Sequence, residues 1–112
     1  MAARKSRARG AKRGVGWAAV RKLALSFPGM SEGTSYGEHA FLLDGKFFSR
    51  FNAKADGLVV YAPEELRDGL LEGEPAVYFV TDHYRGHPYV LVRLDRVLRA
   101  DLAALFEMAF RA

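Results

Sequence analysis

The sequence predicts an α+β domain, with a single-layer antiparallel sheet of about five strands and helices packed on one face. Two observations lead to this prediction. Asp-Gly pairs at 44–45 and 56–57 lie between apolar runs, as is typical of antiparallel hairpins. Apolar residues also recur at helical spacing in three other stretches of the chain. Together these patterns give the order α-β-β-β-α-β-β-α.

The first half of the chain predicts one helix and three strands. Apolar residues recur at helical spacing from Trp17 to Phe27, and Pro28-Gly29 ends the pattern. The stretch AFLLDGKFFSRFN predicts two strands joined by Asp44-Gly45, because glycine accepts the positive φ of a tight turn. A third strand, within NAKADGLVVYA, is predicted to begin after Asp56-Gly57.

The second half predicts two helices and two strands. Pro63 suits the first position of a short helix, and Gly73 suits its end. The stretches AVYFVTD and PYVLVRL predict two more strands. Asp101 is predicted to cap a last helix, whose apolar residues lie on one side.

Length and composition limit the class of protein. A chain of 112 residues forms one domain with one core. It has no cysteine, and it has no apolar run near the roughly 18 residues that a membrane span requires. We therefore predict a monomeric cytoplasmic protein with no membrane contact, no metal and no cofactor.

Basic residues are concentrated at the start of the chain. Residues 1–14 hold six basic side chains and no acidic one, whereas residues 15–112 hold 11 basic and 13 acidic side chains, a balance of −2. We predict a disordered basic arm over 1–14 and a folded domain over 15–112. The arm is either a solubilising segment or a phosphate-binding one. Its basic residues are Arg4, Lys5, Arg7, Arg9, Lys12 and Arg13.

One pattern resembles a hydrolase motif. Residues 29–33, GMSEG, match G-x-S-x-G. A nucleophile elbow needs a strand before the serine and a helix after it, whereas here a predicted helix ends just before the motif. Ser31 and Gly33 are therefore predicted to be loop residues, and no catalytic residues are assigned.

The stretch VTDHYRGHPYV concentrates polar and aromatic residues between two predicted strands. The chain's three histidines do not suggest a metal site, because no cysteine or carboxylate cluster completes a ligand set. We predict a hairpin turn that also forms one edge of a ligand surface. The residues assigned to that surface are His83, Tyr84, Arg85, His87 and Tyr89.

Strand alternation predicts a second surface. Side chains alternate across a sheet, so Lys46, Phe48 and Arg50 are expected on one face, joined by Tyr89 and Arg93 from the last strand. Aromatic groups that alternate with cations can stack on bases and bind phosphates. The alternative is an ordinary solvent-exposed sheet face.

Three blocks of the sequence resemble the MmcQ/YjbR family of small bacterial proteins. They are LALSFPGMSEGTSYGEHAFLLDGKFFSRF, DGLVV and YFVTDHYRGHPYVLVRL, and the resemblance covers about residues 17–111. It implies a frataxin-like, CyaY-like α+β fold and a DNA-binding role. It also implies a shared ligand-facing surface around Gly37, Lys46, His83, Tyr84 and Pro88. Iron binding of the frataxin kind is not implied, because residues 15–31 contain no Asp or Glu.

Two functions follow as hypotheses. The first is a DNA-binding or single-strand-binding module, weak and salt-dependent, that uses the basic arm and the aromatic and cationic sheet face. The second is a module that binds a small molecule or a protein partner, with an anion-binding pocket at the turn from His83 to Pro88. Neither hypothesis makes the protein an enzyme. The enzyme alternative, in which His83 acts as acid or base and Asp82 orients it, is disfavoured, because neighbouring residues of a strand point to opposite faces.

Overall fold

The structure, a computed structural model, describes residues 13–112. It contains a six-stranded sheet and three helices in that range. The helices are α1 (Trp17–Leu25), α2 (Glu64–Gly73) and α3 (Arg99–Arg111). The strands are β1 (Met30–Ser35), β2 (Glu38–Leu43), β3 (Lys46–Asn52), β4 (Gly57–Tyr61), β5 (Tyr78–Phe79) and β6 (Tyr89–Val92).

The sheet has the order β1-β2-β3-β4-β6-β5, and all its neighbouring strands are antiparallel. The predicted α+β class is confirmed, with one strand more than expected. The additional strand is β1, so the prediction that Ser31 and Gly33 lie in a loop is wrong. The sequence MSEGTS has weak strand propensity, but pairing with β2 from Met30 to Ser35 supplies the missing order.

Two tight turns connect the first three strands. Asp44 and Gly45 have φ of 50° and 82°, which confirms the predicted hairpin turn between β2 and β3. Tyr36 and Gly37 have φ of 53° and 76° between β1 and β2. A tyrosine at positive φ is uncommon, so the Tyr36-Gly37 turn carries little of the usual sequence signal for a hairpin.

All three helices pack on one face of the sheet and form the main core with it. The core contains Val20 and Ala24 from α1 and Leu102 and Phe106 from α3, all fully buried. Helix α3 begins at Arg99 and its N-cap is Leu98, so the prediction that Asp101 caps it is wrong by three residues. Asp101 lies instead in the first turn, where a carboxylate still favours the helix dipole.

Strand β3 contains a β-bulge. Phe41 of β2 pairs with Ser49. Its neighbour Leu42 pairs with Phe47, so Phe48 is an extra residue between the two pairs. An extra residue breaks the strict alternation of side chains along a strand, and this bulge therefore changes which residues share a face.

Because of the bulge, three residues that were predicted to share one face of the sheet do not do so. Phe48 is only 2% exposed and packs in the helix-covered core. Lys46 pairs with Leu43, which also packs against that core, whereas Arg50 pairs with Val59 on the other face. The prediction that Lys46, Phe48 and Arg50 share an open face is thus wrong, because it assumed an unbroken strand.

The start of the described chain lies against the segment before α3. Arg13 forms a β-bridge with Leu98, and its Nη1 donates to the Arg96 carbonyl at 2.9 Å. The Gly14 amide donates to the Val97 carbonyl at 2.8 Å. The predicted arm residues Arg4, Lys5, Arg7, Arg9 and Lys12 lie outside the described residues.

Within 13–112, every helix is too short or too polar to cross a bilayer.

Candidate anion-binding cleft

The sheet face opposite the helices, here called the loop-covered face, carries a small second core. Its buried residues are Val59, Tyr84 and Leu91. Phe47, Phe79 and other partly buried apolar residues pack around them. This apolar floor is much smaller than the helix-covered core, and polar side chains surround it.

The connection from β5 to β6, residues 80–88, folds back over this face. It contains a 3-10 turn over Asp82–Tyr84, and Gly86 has φ of 82°. The Ala62 amide donates to the Pro88 carbonyl at 2.8 Å, and Nη1 of Arg67 donates to the His87 carbonyl. These contacts hold the loop at both β4 and α2, so Tyr84 has a fixed place over the sheet.

Arg50 and Tyr84 meet beneath this loop. Arg50 is 9% exposed and Tyr84 is 6% exposed. The Tyr84 hydroxyl accepts a hydrogen bond from Nη2 of Arg50 and another, at 3.3 Å, from Nδ2 of Asn52. No carboxylate among residues 13–112 forms an ion pair with Arg50. A buried guanidinium is thus held by neutral groups alone.

Tyr36 closes the other side of Arg50. It lies at the tip of the β1–β2 hairpin and is 92% exposed. The Arg50 Cζ atom lies 5.3 Å from the centre of the Tyr36 ring. At this distance the ring face attracts the cation without neutralising its charge.

A cleft in two compartments surrounds these groups, with volumes of about 430 Å³ and about 580 Å³. Arg50, Tyr36, His83 and Tyr84 line both compartments. The smaller compartment is completed by Ser35, Phe47, His87 and Tyr89. The larger one is completed by Asn52, Lys54, Ala55, Thr81 and Asp82. Both volumes fall in the range of small-ligand sites.

The charges around the cleft favour an anion. Asp82 is the acidic side chain in its lining, and its carboxylate accepts from Nη2 of Arg85 at 3.1 Å. Arg50 and Lys54 form no ion pair with a carboxylate of residues 13–112. The cleft therefore combines two uncompensated cations with an acid that is already paired.

The structure gathers four residues of the predicted ligand surface into the cleft: His83, Tyr84, His87 and Tyr89. Arg85 is not among the lining residues, because its guanidinium turns to Asp82 and is 69% exposed. Arg93 stacks on the Phe79 ring, with Cζ 4.1 Å from the ring centre, at another part of the same face. Arg13, a residue of the predicted basic arm, pairs with Leu98 just before α3 and does not line the cleft.

The sequence prediction missed other lining residues, including Tyr36, Phe47, Asn52 and Lys54. Phe47 was missed because it shares the loop-covered face with Arg50 only through the bulge, which strict alternation does not foresee. Tyr36 was missed because strand β1 was not predicted. Asn52 ends β3 and Lys54 lies in the turn after it, and their approach to the β5–β6 loop depends on tertiary structure. Within 13–112, no three metal-binding side chains come together.

Comparison with known proteins confirms the family resemblance found in the sequence. The profile of the YjbR family matches residues 25–112. Uncharacterized proteins of Mycobacterium bovis and Mycobacterium tuberculosis are 43% identical to the chain over 47 residues, or 42% of this chain. The match spans 36% of those relatives' length. No solved structure matches the chain, so the frataxin-like fold stays a prediction. The family match covers most of the described domain, and the chain belongs to the YjbR family.

Proposed function

We propose that the protein is a binding module that captures a small anionic ligand in the cleft around Arg50. One observation carries the proposal: Arg50 is nine-tenths buried and has no carboxylate partner among residues 13–112. Burial of an unpaired charge is unfavourable, so proteins normally give such a group a counter-ion. An anion in the cleft supplies that counter-ion.

The Tyr84 hydroxyl supports the same proposal. A tyrosine hydroxyl has two acceptor positions and one hydrogen to donate. Arg50 and Asn52 both donate to it, which leaves its own hydrogen for another acceptor. A ligand oxygen next to Arg50 would receive hydrogen bonds from a guanidinium and a hydroxyl together, and donors on charged groups form the stronger bonds.

The pairing of Asp82 argues against the enzyme alternative in which Asp82 orients His83. The Asp82 carboxylate accepts from both Nε and Nη2 of Arg85, at 3.3 and 3.1 Å. His83 instead stands edge-on to Tyr84, with ring centroids 4.9 Å apart. This placement suits a residue that contacts a bound ligand at the rim of the cleft.

Calorimetric titration of the full chain with inorganic phosphate and sulfate tests the proposal. We expect binding by the wild type and its loss in Arg50→Gln, because glutamine has no charge. Arg111→Gln is the matched control, since it removes one positive charge from an exposed ion pair on α3. Equal binding by wild type and Arg50→Gln would overturn the proposal.

A second candidate function is binding of DNA or single-stranded nucleic acid. The observation that favours it is the placement of six of the chain's 17 basic side chains before Val15. Clustered cations gain affinity for nucleic acid by releasing counter-ions. Exposed Tyr36 beside Arg50 and Lys54 adds a stacking group and two phosphate contacts on the loop-covered face. Lys46 and Phe48 no longer contribute to this hypothesis.

Fluorescence anisotropy with labelled duplex and single-stranded DNA tests this second candidate. The variant replaces the five basic residues of 1–12 with glutamine in the full chain, so that the paired Arg13 is retained. If the arm binds phosphates, the dependence of log K on log salt becomes shallower by about 0.9 for each duplex phosphate that the arm neutralises in the wild type. An unchanged slope would exclude the arm as the binding element.

A further inference from the structure

The two compartments of the cleft differ in chemistry. Those residues that line only the smaller one are mainly rings: Phe47, Tyr89 and His87, with Ser35 beside them. Those that line only the larger one are mainly polar: Asn52, Lys54, Thr81 and Asp82, with Ala55. Arg50, Tyr84, His83 and Tyr36 stand between the two. A ligand that fills both compartments therefore has two chemically different parts.

The smaller compartment suits a planar ring. Tyr89 stands edge-on to Phe47, with ring centroids 5.4 Å apart, and 6.2 Å from the Tyr84 ring. These rings form rigid apolar walls, and an aromatic ligand gains from both stacked and edge-on contacts with them. His83 and His87 at the rim offer hydrogen bonds to heteroatoms of such a ring.

The larger compartment suits a phosphate. Lys54 and Arg50 both line it, and neither is paired with a carboxylate of residues 13–112. Two cations match the charge of a phosphate monoester better than that of a single carboxylate. Asp82 is held by Arg85, which reduces its repulsion of an anion. The Tyr84 hydroxyl faces the same space and has its hydrogen free to donate.

We infer that the ligand is a planar heteroaromatic ring that carries a phosphate, which is the chemistry of a nucleoside monophosphate. The ring occupies the compartment of Phe47 and Tyr89, and the phosphate lies between Arg50 and Lys54. The inference rests on the proposed function, because it assigns the anion to the Arg50 cleft. A free nucleotide and the phosphorylated end of a single strand share this chemistry.

Calorimetric titration of the full chain with AMP, adenosine and inorganic phosphate tests the inference. We expect AMP to bind at least tenfold more tightly than either fragment, because it fills both compartments at once. AMP that binds no more tightly than phosphate would overturn the two-part ligand and leave the anion site intact. Strong AMP binding that is insensitive to Arg50→Gln would instead overturn the proposed function.

Two exposed substitutions separate the compartments. His87→Ser lies in the exposed part of the β5–β6 loop and lines only the smaller compartment, so it is expected to weaken AMP and adenosine while phosphate binding stays within twofold. Lys54→Gln is expected to weaken AMP and phosphate several-fold while adenosine binding is unchanged. Lys22→Gln on α1, away from the cleft, is the charge-matched control. Equal weakening of all three probes by both variants would contradict the division of the cleft.

A single-stranded trinucleotide with and without a 5′-phosphate identifies the source of the ligand. If strand ends are bound, removal of the terminal phosphate weakens binding at least tenfold, and this difference disappears in Arg50→Gln. If free nucleotides are bound, AMP binds more tightly than the phosphorylated trinucleotide. Either result supports the inference, and failure of both AMP and the trinucleotide to bind would overturn it.

Discussion

The two faces of the sheet differ in the residues that they bury. The helix-covered face is packed with buried apolar residues from α1, α3 and the central strands, and Phe48, Phe106 and Leu58 are among its largest. The loop-covered face has three buried residues in its core and keeps Arg50 beside them. Apolar burial is therefore concentrated on one face, while Arg50 and the other polar groups that line the cleft lie on the other.

This division teaches how a small domain can hold an uncompensated charge. Burial of a guanidinium without a counter-ion lowers the free energy of unfolding. The apolar core on the opposite face offsets that cost, because buried apolar area is the main favourable contribution to folding. Substitutions in the helix-covered core should consequently lower stability and leave binding unchanged, whereas substitutions around Arg50 should weaken binding.

The largest effect on stability is expected on the helix-covered face. Phe106→Ala removes a fully buried ring that packs against Phe48, with ring centroids 5.6 Å apart. We expect a decrease of about 3–5 kcal/mol in the free energy of unfolding, measured by urea denaturation. Phosphate affinity of the folded variant should stay within twofold of the wild type. A decrease below about 1 kcal/mol would show that this face does not dominate stability.

Tyr84→Phe tests whether one hydroxyl on the loop-covered face contributes to both stability and phosphate binding. It leaves the donors of Arg50 and Asn52 without their acceptor, so we expect a decrease of about 1–3 kcal/mol in the free energy of unfolding, measured by urea denaturation. Phosphate binding should weaken as well, since the hydroxyl is absent. The control is Tyr61→Phe, a partly buried tyrosine whose hydroxyl is not the acceptor for Arg50 or Asn52. Equal stability of the two variants would show that the hydrogen bonds from Arg50 and Asn52 to the Tyr84 hydroxyl do not stabilise the fold.

Arg50→Met is expected to separate stability from function. Methionine is apolar and of similar length, so the free energy of unfolding should stay equal or rise by about 1 kcal/mol. Phosphate binding should be abolished. Thermal and urea denaturation measure the first effect, and calorimetry measures the second. If the variant were instead less stable by about 2 kcal/mol or more, Arg50 would have a mainly structural role.

The smallest effect is expected at the exposed ion pair of the β5–β6 loop. Arg85 and Asp82 are 69% and 97% exposed at their side chains, and such pairs contribute little. Arg85→Gln should change the free energy of unfolding by less than about 0.5 kcal/mol in urea denaturation. Phosphate binding should weaken slightly, since Asp82 then loses its partner and repels an anion more strongly. Tighter binding would contradict the role assigned to this pair.

The sequence predicted the fold more completely than the cleft. Helical periodicity and the Asp44-Gly45 turn are local signals, so α1, α3 and the central hairpin were foreseen. Strand β1 was not, because its order comes from pairing with β2. The bulge at Phe48 was also unforeseen, since it depends on how β2 and β3 pair, and no local pattern encodes it.

The cleft was predicted in part. His83, Tyr84, His87 and Tyr89 are close in sequence, so one polar turn was enough to identify them together. The contact between Arg50 and Tyr84 joins residues 34 positions apart, and it exists only because the β5–β6 loop folds over the sheet. Sequence patterns placed these two residues in separate surfaces.

The most direct test is an NMR titration of the ¹⁵N-labelled full chain with inorganic phosphate, following the Arg50 side-chain Nε–H signal. We expect saturable shifts at Arg50 and in the backbone amides of Tyr84, His83 and Lys54, with no comparable shifts in α3. If Arg50 and Tyr84 stay unchanged while other residues shift, the phosphate binds elsewhere, and the cleft is not the site.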